Sequence, residues 1–213
     1  MFFTQVVYKE NRIINKMVKK DPHNHERRYL NWKEKTNEGI PDITKANSDI
    51  IKRFLQNMEL GLNVSIHSKK GRRSYIRLNT LREKLIFFAI HFKERFGLNC
   101  ITDINEEEIH LFFSEMYSGK IARKDGTKYK AAGYFVKGFK SFWHWYMLIK
   151  KKEGIEIFDI TTYLDTKVDK AKWVYLSEET VKRLCDNAKY EYKVLMMFLF
   201  SVIPQGLALG IKL

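Results

Sequence analysis

The chain has few of the residues that interrupt or cross-link a polypeptide. Its 213 residues include 3 prolines, 11 glycines and 2 cysteines. The scarcity of proline and glycine excludes a collagen-like chain and argues against disorder. The two cysteines, Cys100 and Cys185, lie too far apart in sequence to suggest a disulfide framework, so we expect reduced thiols in an intracellular protein. The opening residues, MFFTQVVYKENR, contain too short an apolar stretch for a signal peptide.

Familiar catalytic and metal-binding patterns are also missing from the sequence. There is no Gly-rich phosphate loop, and His91, Cys100 and His110 do not have the spacing of a metal site. The carboxylates of DINEEE suit a helix cap better than a metal. HERR has an H-x-x-R spacing that some phosphoryl-transfer sites use, but we interpret it as solvated charge on a surface helix. We therefore expect no metal, no cofactor and no small-molecule substrate.

What the sequence does contain is positive charge, unevenly placed. Lys and Arg number 39 against 25 Asp and Glu, which gives a net charge of +14. Such a balance favours a polyanionic partner, most often nucleic acid. Residues 119–153 hold ten Lys/Arg and two Asp/Glu, whereas residues 154–213 hold eight of each. Charge concentrated in one segment indicates a contact surface.

The distribution of apolar residues predicts an all-α fold. Apolar residues recur at helical spacing in several stretches, and breakers are rare. One stretch predicts a long helix from about Tyr75 to Phe96, with an inward stripe of Leu78, Leu81, Leu85, Phe88 and Phe92. A second long helix, AAGYFVKGFKSFWHWYMLIKKK, follows a basic loop. Its SFWHWYM cluster is interpreted as core rather than as a base-stacking platform, with His144 as a packed histidine.

Capping residues predict where the other helices begin and end. Asp21 with Pro22 marks one start, and Ser48 marks another. Asn105 and Glu108 have the spacing of a capping box. Glycines are expected to end the helices, at Gly61, Gly97 and Gly119.

The last quarter of the chain reads as a linker followed by a second unit. Residues 154–174 break the helical period and predict an extended interdomain linker. Ser177 is then expected to cap a helix whose inward face is Val181, Leu184, Cys185 and Ala188. The next helix, YEYKVLMMFLF, is apolar all round and is expected to be buried.

Two basic loops, HSKKGRRSYIR and GKIARKDGTKYK, each precede a long amphipathic helix. A Lys/Arg loop that enters a helix can contact phosphates while the exposed face of the helix lies in a groove. The alternative is two solvated loops on a basic protein. We expect double-stranded DNA as the partner, contacted by Lys69, Lys70, Arg72, Arg73, Arg77, Lys84, Lys120, Arg123, Lys124, Lys128, Lys130, Lys137 and Lys140.

This order of elements resembles the tyrosine recombinases (phage-type integrases), especially their archaeal members. In that family a SAM-like four-helix core-binding domain precedes a catalytic domain, and the two clamp DNA. The resemblance implies a helical N-terminal extension over residues 1–45 and a core-binding domain over 46–153. A linker over 154–174 and the truncated start of a catalytic domain over 175–213 would follow, the latter beginning YLSEETVKRLCDNAKYEYKVLMMFLF.

The first catalytic box of the family is where this sequence departs from the pattern. The matching stretch runs from Ser201 to Leu207, with Val202 where glycine is usual. No arginine follows Ile203, and Gly206 stands where the family has glutamate. The other catalytic residues would lie beyond Leu213, and Tyr192 precedes the box, so it cannot be the nucleophile. The resemblance thus implies a DNA-binding protein without strand cleavage, because that chemistry needs the tyrosine and the arginines.

The expected setting is the cytoplasm, with the chain on the nucleoid when it is bound to DNA. An intact integrase at the same site is a further candidate partner. Two alternatives remain: a free-standing DNA-binding regulator, and a membrane protein anchored by Val194–Ile211. That stretch is uncharged but interrupted by Pro204 and two glycines.

Overall fold

Helices form almost all of the regular structure in the computed structural model, which describes residues 21–65, 68–167, 174–202 and 210–211. The chain divides into two units, Met1–Val168 and Asp169–Leu213. The helices of the first unit are α1 His25–Lys35, α2 Lys45–Leu60, α3 Tyr75–Phe96, α4 Glu106–Ser118 and α5 Ala132–Lys152. Those of the second are α6 Glu178–Asn187 and α7 Tyr190–Val202. Two strands of two residues each, β1 Val174–Tyr175 and β2 Gly210–Ile211, pair antiparallel, with Val174 opposite Ile211. The predicted all-α class is confirmed.

The helix boundaries follow local capping chemistry in most places. Asn105 and Glu108 form the predicted capping box at the start of α4. Gly61, Gly97 and Gly119 each follow a helix in the left-handed conformation, as expected of C-terminal glycines. Tyr75 and Phe96 are the first and last residues of α3, as predicted.

The predicted cap at Ser48 is wrong, because α2 begins one turn earlier. The Thr44 side chain accepts a hydrogen bond from the backbone N–H of Asn47 at 3.2 Å. Ser48 lies buried inside the helix, where its hydroxyl accepts the backbone N–H of Ile40 at 3.0 Å. That N–H is itself buried and needs an acceptor, so the serine ties the preceding loop to the helix.

The first described helix also begins later than the sequence predicts. Asn24 adopts a left-handed conformation (φ 50°), which separates Asp21 and Pro22 from the helix that starts at His25. The Asp21 carboxylate still accepts the backbone N–H groups of His23 and Glu26, both at 3.2 Å. Residues 1–20 of the predicted N-terminal extension lie outside the described residues.

Helix α3 is the central element of the first unit, packing against α1, α2 and α5, while α4 packs against α5. The predicted inward stripe of α3 is buried along its whole length. At its centre the Phe88 ring lies 5.3–5.9 Å, between ring centroids, from four other buried phenyl rings: Phe92, Phe112, Phe113 and Phe139. Such offset and edge-to-face pairs add to the energy of apolar burial.

The SFWHWYM cluster belongs to this core, as predicted. Phe142, Trp143 and Trp145 are buried, and the Trp145 ring meets Phe54 of α2 at 5.1 Å. His144 is only partly buried, and its Nε2 lies 2.9 Å from a carboxylate oxygen of Asp159.

Residues 154–167 are not the extended interdomain linker that the sequence predicts. They contain no helix or strand, but they pack on the helices of the first unit. Trp143 Nε1 donates to the Phe158 carbonyl at 3.0 Å, and the Tyr117 hydroxyl donates to the Asp165 carbonyl at 2.8 Å. Thr161 and Leu164 are buried. Residues 168–173 of the predicted linker lie outside the described residues.

In the second unit the predicted helix cap is present, but much of the predicted burial of apolar side chains is not. Ser177 caps α6 by accepting the Thr180 backbone N–H at 3.2 Å, and Cys185 is buried. Leu184, expected to face inward, is 47% exposed. The expected burial of α7 is also wrong, because large apolar side chains are exposed on several of its sides: Tyr190, Tyr192, Val194, Leu195, Met197 and Phe198. Among the described elements of this unit, α7 packs against α6, and one neighbour cannot cover a helix that is apolar all round.

Helix lengths bear on the membrane-anchor alternative. Within the described residues, no helix is both long enough and apolar enough to cross a bilayer. Helix α7 has 13 residues and ends at Val202, and residues 203–209 of the proposed anchor lie outside the described part of the chain.

Truncation of the central ring should destabilise the first unit strongly. We expect Phe88→Ala to lower the free energy of unfolding by about 3–5 kcal/mol, since it removes a buried ring and leaves a cavity. Phe158→Ala is the matched control, because that ring is 90% exposed. It should change stability by less than about 0.5 kcal/mol. Urea denaturation followed by circular dichroism measures both, and equal effects would contradict this account of the core.

The anchor of residues 154–167 should be sensitive to acid. Burial acts to raise the pKa of Asp159, but hydrogen bonds from Thr161 and His144 overcome it and hold this pKa below its usual value. A carboxyl group with a lowered folded-state pKa stabilises the fold above its unfolded pKa, about 3.9, and loses that contribution as the pH falls further. We therefore expect Asp159→Asn to destabilise the protein at pH 6, and we expect this loss of stability to shrink progressively as the pH falls below about 3.9. Urea midpoints measured from pH 6 down to pH 2 test this, and a loss that stays constant over that range would refute it.

Candidate nucleic-acid interface

The first basic loop is held against the end of α2. The backbone N–H of Arg73 donates to the Met58 carbonyl at 3.0 Å, and Lys70 Nζ donates to the Ser65 carbonyl at 2.9 Å. The Arg72 guanidinium lies 4.9 Å from the centroid of the Tyr75 ring and donates to its hydroxyl. Lys69, Lys70 and Arg72 are nonetheless exposed, and Arg73 is half-buried. The loop therefore presents its cations from a defined backbone.

One cation of this loop is partly neutralised. Glu59 lies 4.0 Å from Arg72 and also pairs with Lys33 at 3.0 Å. Among the described residues, Lys69, Lys70 and Arg73 form no ion pair, although the Arg73 guanidinium donates to the Lys69 carbonyl. The loop keeps most of its positive charge.

Arg77 and Lys84 continue this charge along α3. They are seven residues apart, which places them on one side of the helix. Both are half-buried. Burial, with repulsion from Arg73 added, lowers the pKa of Arg77. Burial, with repulsion from Arg77 added, lowers the pKa of Lys84 to about 8.

The first turns of α5 complete the surface. The Tyr134 ring is 53% exposed, with Lys84 Nζ 5.8 Å and Lys137 Nζ 5.4 Å from its centroid. Lys84 also donates a hydrogen bond to the Tyr134 carbonyl. We call the group Arg73, Arg77, Lys84, Lys137 and Tyr134 the α3/α5 strip. None of its four cations has a carboxylate within ion-pair distance among the residues that the structure describes.

The second basic loop forms a tight hairpin-like turn. Ala122 and Lys128 form an isolated antiparallel bridge, and the Arg123 N–H donates to the Thr127 carbonyl at 2.9 Å. Asp125 stabilises the tip by accepting the Thr127 N–H, also at 2.9 Å. The remaining predicted contact residues of this loop are exposed: Arg123, Lys124, Lys128 and Lys130.

An aromatic contact places this loop beside the strip. The Tyr129 ring is 5.8 Å from Phe87 of α3 and 5.2 Å from Phe135 of α5. Phe87 follows Lys84 on the same side of α3. Since a helix rises about 1.5 Å per residue, Arg77 and Phe87 are separated by about 15 Å along the axis. The two basic loops thus lie toward opposite ends of the strip.

Two further predicted contact residues, Lys120 and Lys140, also have internal partners. Lys120 pairs with the buried carboxylate of Glu115, which also binds Arg95. Lys140 is half-buried, and its Nζ donates to the Thr162 carbonyl at 3.4 Å. These contacts use the two lysines to fix the second loop and residues 154–167, which gives them a structural role that spacing alone does not show.

Sequence reasoning missed Tyr134 and Gly138, which shape the surroundings of Lys84. A Cβ atom added at Gly138 would lie 2.9 Å from Lys84 Cδ, so the lysine stem runs directly over the glycine. A glycine inside a predicted helix is a signal of close approach, but the sequence does not say to what.

Comparisons of the chain with protein-family models, curated proteins and solved structures found no match. No group of three or more His, Cys, Asp or Glu side chains in the described residues could hold a metal ion. Function is therefore argued from the charge and shape of this surface.

The Glu115 ion-pair cluster should be important for stability. We expect Glu115→Gln to lower the free energy of unfolding by about 1–3 kcal/mol, because it removes a buried carboxylate that has two charged hydrogen-bond partners. Glu107→Gln removes an exposed carboxylate from the same helix and should cost no more than about 0.5 kcal/mol. Thermal and urea denaturation compare the two, and matching losses of stability would refute the role given to Glu115.

Proposed function

We propose that this chain binds double-stranded DNA through the α3/α5 strip and the two basic loops at its ends. The observation that carries the proposal is the strip itself, in which four cations lie together with no described carboxylate partner. Like charges held this close repel one another, and a polyanion relieves that repulsion. The phosphate backbone of DNA is the polyanion whose repeated charges suit an elongated cationic surface.

The size of the surface supports a duplex as the ligand. The major groove of B-DNA is about 12 Å wide, and Arg77, near the first loop, lies about 15 Å along α3 from Phe87, which contacts Tyr129 of the second loop. The loops can therefore reach phosphates on either side of a groove while the exposed side chains of the strip lie at its mouth. Exposed Tyr134 adds an aromatic ring that can pack on a sugar or a base edge.

The resemblance to tyrosine recombinases agrees with this assignment. In that family the second and fourth helices of the core-binding domain face the duplex, and α3 and α5 occupy those positions when α2 is taken as the first. We propose that residues 46–153 act as a core-binding domain of that kind, in the cytoplasm and on the nucleoid when the chain is bound to DNA. An intact integrase that recognises the same DNA site is the protein partner that this proposal favours.

The proposal assigns DNA binding and no strand cleavage to the chain. The resemblance places the first catalytic arginine directly after Ile203, where the sequence has Pro204. Without that cation, charge developing on the phosphorus oxygens has no matching partner at this position.

A salt titration of duplex binding tests the proposal. The variant Arg77→Gln/Lys84→Gln/Lys137→Gln removes three charges from the strip, and Lys69→Ala/Lys70→Ala/Arg72→Ala/Arg73→Ala removes those of the first loop. Each should weaken binding, and the slope of log affinity against log salt should become shallower by about 0.9 for each phosphate that the variant no longer neutralises. Fluorescence anisotropy of a labelled duplex measures both quantities.

The control is a triple variant with the same change in net charge, Lys35→Gln/Lys45→Gln/Lys93→Gln. All three lysines are exposed, and Lys93 lies on the side of α3 away from the strip. This control should keep a salt slope close to that of the parent protein. If the control weakened binding as much as the strip variant, net charge rather than the strip would account for it, and the proposal would be wrong.

A further inference from the structure

Lys84 lies in a slot formed by α5. Its stem crosses Gly138, where an added Cβ would approach Cδ to 2.9 Å. Its ammonium group lies 5.3 Å from the Phe135 ring centroid and 5.8 Å from that of Tyr134, and it donates to the Tyr134 carbonyl. The slot is fitted to the lysine and withdraws part of it from water.

Within the described part of the chain, the charged groups placed around the slot are cationic. Arg77 lies on the same side of α3, with Arg73 beyond it, and Lys137 of α5 shares the Tyr134 ring. The phenol of Tyr134 is the other titratable group on α5 at this point. Among the described residues no carboxylate pairs with Lys84, so no opposite charge offsets the cost of burying its ammonium group.

We propose that DNA binding by the α3/α5 strip is coupled to proton uptake at Lys84, so that affinity falls when alkaline pH removes this proton. The inference rests on the proposed function and adds its regulation. Above about pH 8 the Lys84 amine of the free protein is largely neutral and can donate one N–H to the Tyr134 carbonyl. When a phosphate approaches at such a pH, Nζ takes up a proton from the buffer, whose conjugate base stays in solution. The resulting ammonium donates to the Tyr134 carbonyl oxygen and to a phosphate oxygen.

The sign and size of the effect follow from linkage. Burial first, and then Arg77, lower the pKa of Lys84 in the free protein to about 8. An adjacent phosphate favours the ammonium and returns the pKa toward the ordinary lysine value of about 10.4. At pH 7 both states are protonated and no proton is taken up. At pH 9 the free protein is largely neutral at Lys84, so the affinity should be about tenfold lower than at pH 7.

The test is duplex affinity from pH 7 to pH 9.5 at constant ionic strength, for the parent chain and three variants. Lys84→Arg stays protonated throughout, because a guanidinium keeps its proton at every pH of this titration. It should bind with the same affinity at pH 7 and pH 9. Gly138→Ala pushes the Lys84 stem out of the slot while keeping its charge, and it should move the alkaline loss of affinity above pH 9.

Lys137→Arg is the matched control, since it alters the other lysine at the same ring without touching the slot. It should keep the tenfold loss of affinity between pH 7 and pH 9. The α-amino group also titrates near pH 8, at about 7.7–8.0, but its contribution would survive in Lys84→Arg. A tenfold loss of affinity that persists in that variant would therefore overturn the inference.

Failure of the inference and failure of the proposed function are distinguishable. If the parent chain binds DNA with the same affinity at pH 7 and pH 9, proton coupling is wrong and the proposed DNA binding stands. If it binds no duplex even at low salt, both are wrong. Gly138→Ala replaces a glycine inside a helix with a better helix former, so a folded variant is expected, and circular dichroism checks this. Lys84→Arg tests the proton coupling at Lys84 independently of how Gly138→Ala folds.

Discussion

The packing of phenyl rings around Phe88 is the interaction on which the rest of the first unit depends. It fixes α3 against α4 and α5 through Phe92, Phe112 and Phe139, all of them buried. A helix whose inner side is held in this way has no freedom to rotate, so the residues on its outer side have fixed positions. The placement of Lys84 beside α5 is thus a consequence of apolar packing rather than of any attraction between charged groups.

Because apolar packing on the inner side of α3 stabilises the unit, the fold tolerates a cluster of like charges on the outer side. The four cations of the strip repel one another, and this repulsion is offset by aromatic burial elsewhere in the unit. Glu115, a buried carboxylate near the second loop, has a different role. It binds Arg95 and Lys120 and so fixes the point at which the loop leaves α4. The cations further along the loop form no ion pair with Glu115.

Much of the first unit could be predicted from sequence, because its signals are local. The stripe from Leu78 to Phe92 and the Asn105 capping box depend on spacing within one helix, and both are confirmed. The cap prediction at Ser48 is wrong because Thr44, one turn earlier, can supply the same hydrogen bond, and only the buried N–H of Ile40 decides between them. The docking of residues 154–167 and the exposure of α7 depend on tertiary partners, which periodicity does not reveal. For the same reason the basic residues could be identified, but the pairing of Lys120 and the slot around Lys84 could not.

The glycines of α5 lie where tertiary packing leaves no room for a Cβ atom without a shift of its neighbours. Glycine costs a helix interior about 1 kcal/mol relative to alanine, yet α5 contains two within six residues. A Cβ at Gly133 would lie 2.3 Å from the Lys167 carbonyl oxygen, and one at Gly138 would meet the Lys84 stem. The first glycine lets residues 154–167 close over the helix, and the second admits a lysine from α3. The backbone of Lys167 cannot move aside as a flexible side chain can, so Gly133 is required for the packing of residues 154–167. Gly138 instead sets the surroundings of one cation, so its substitution can alter the chemistry of the strip while leaving the packing of the helices intact.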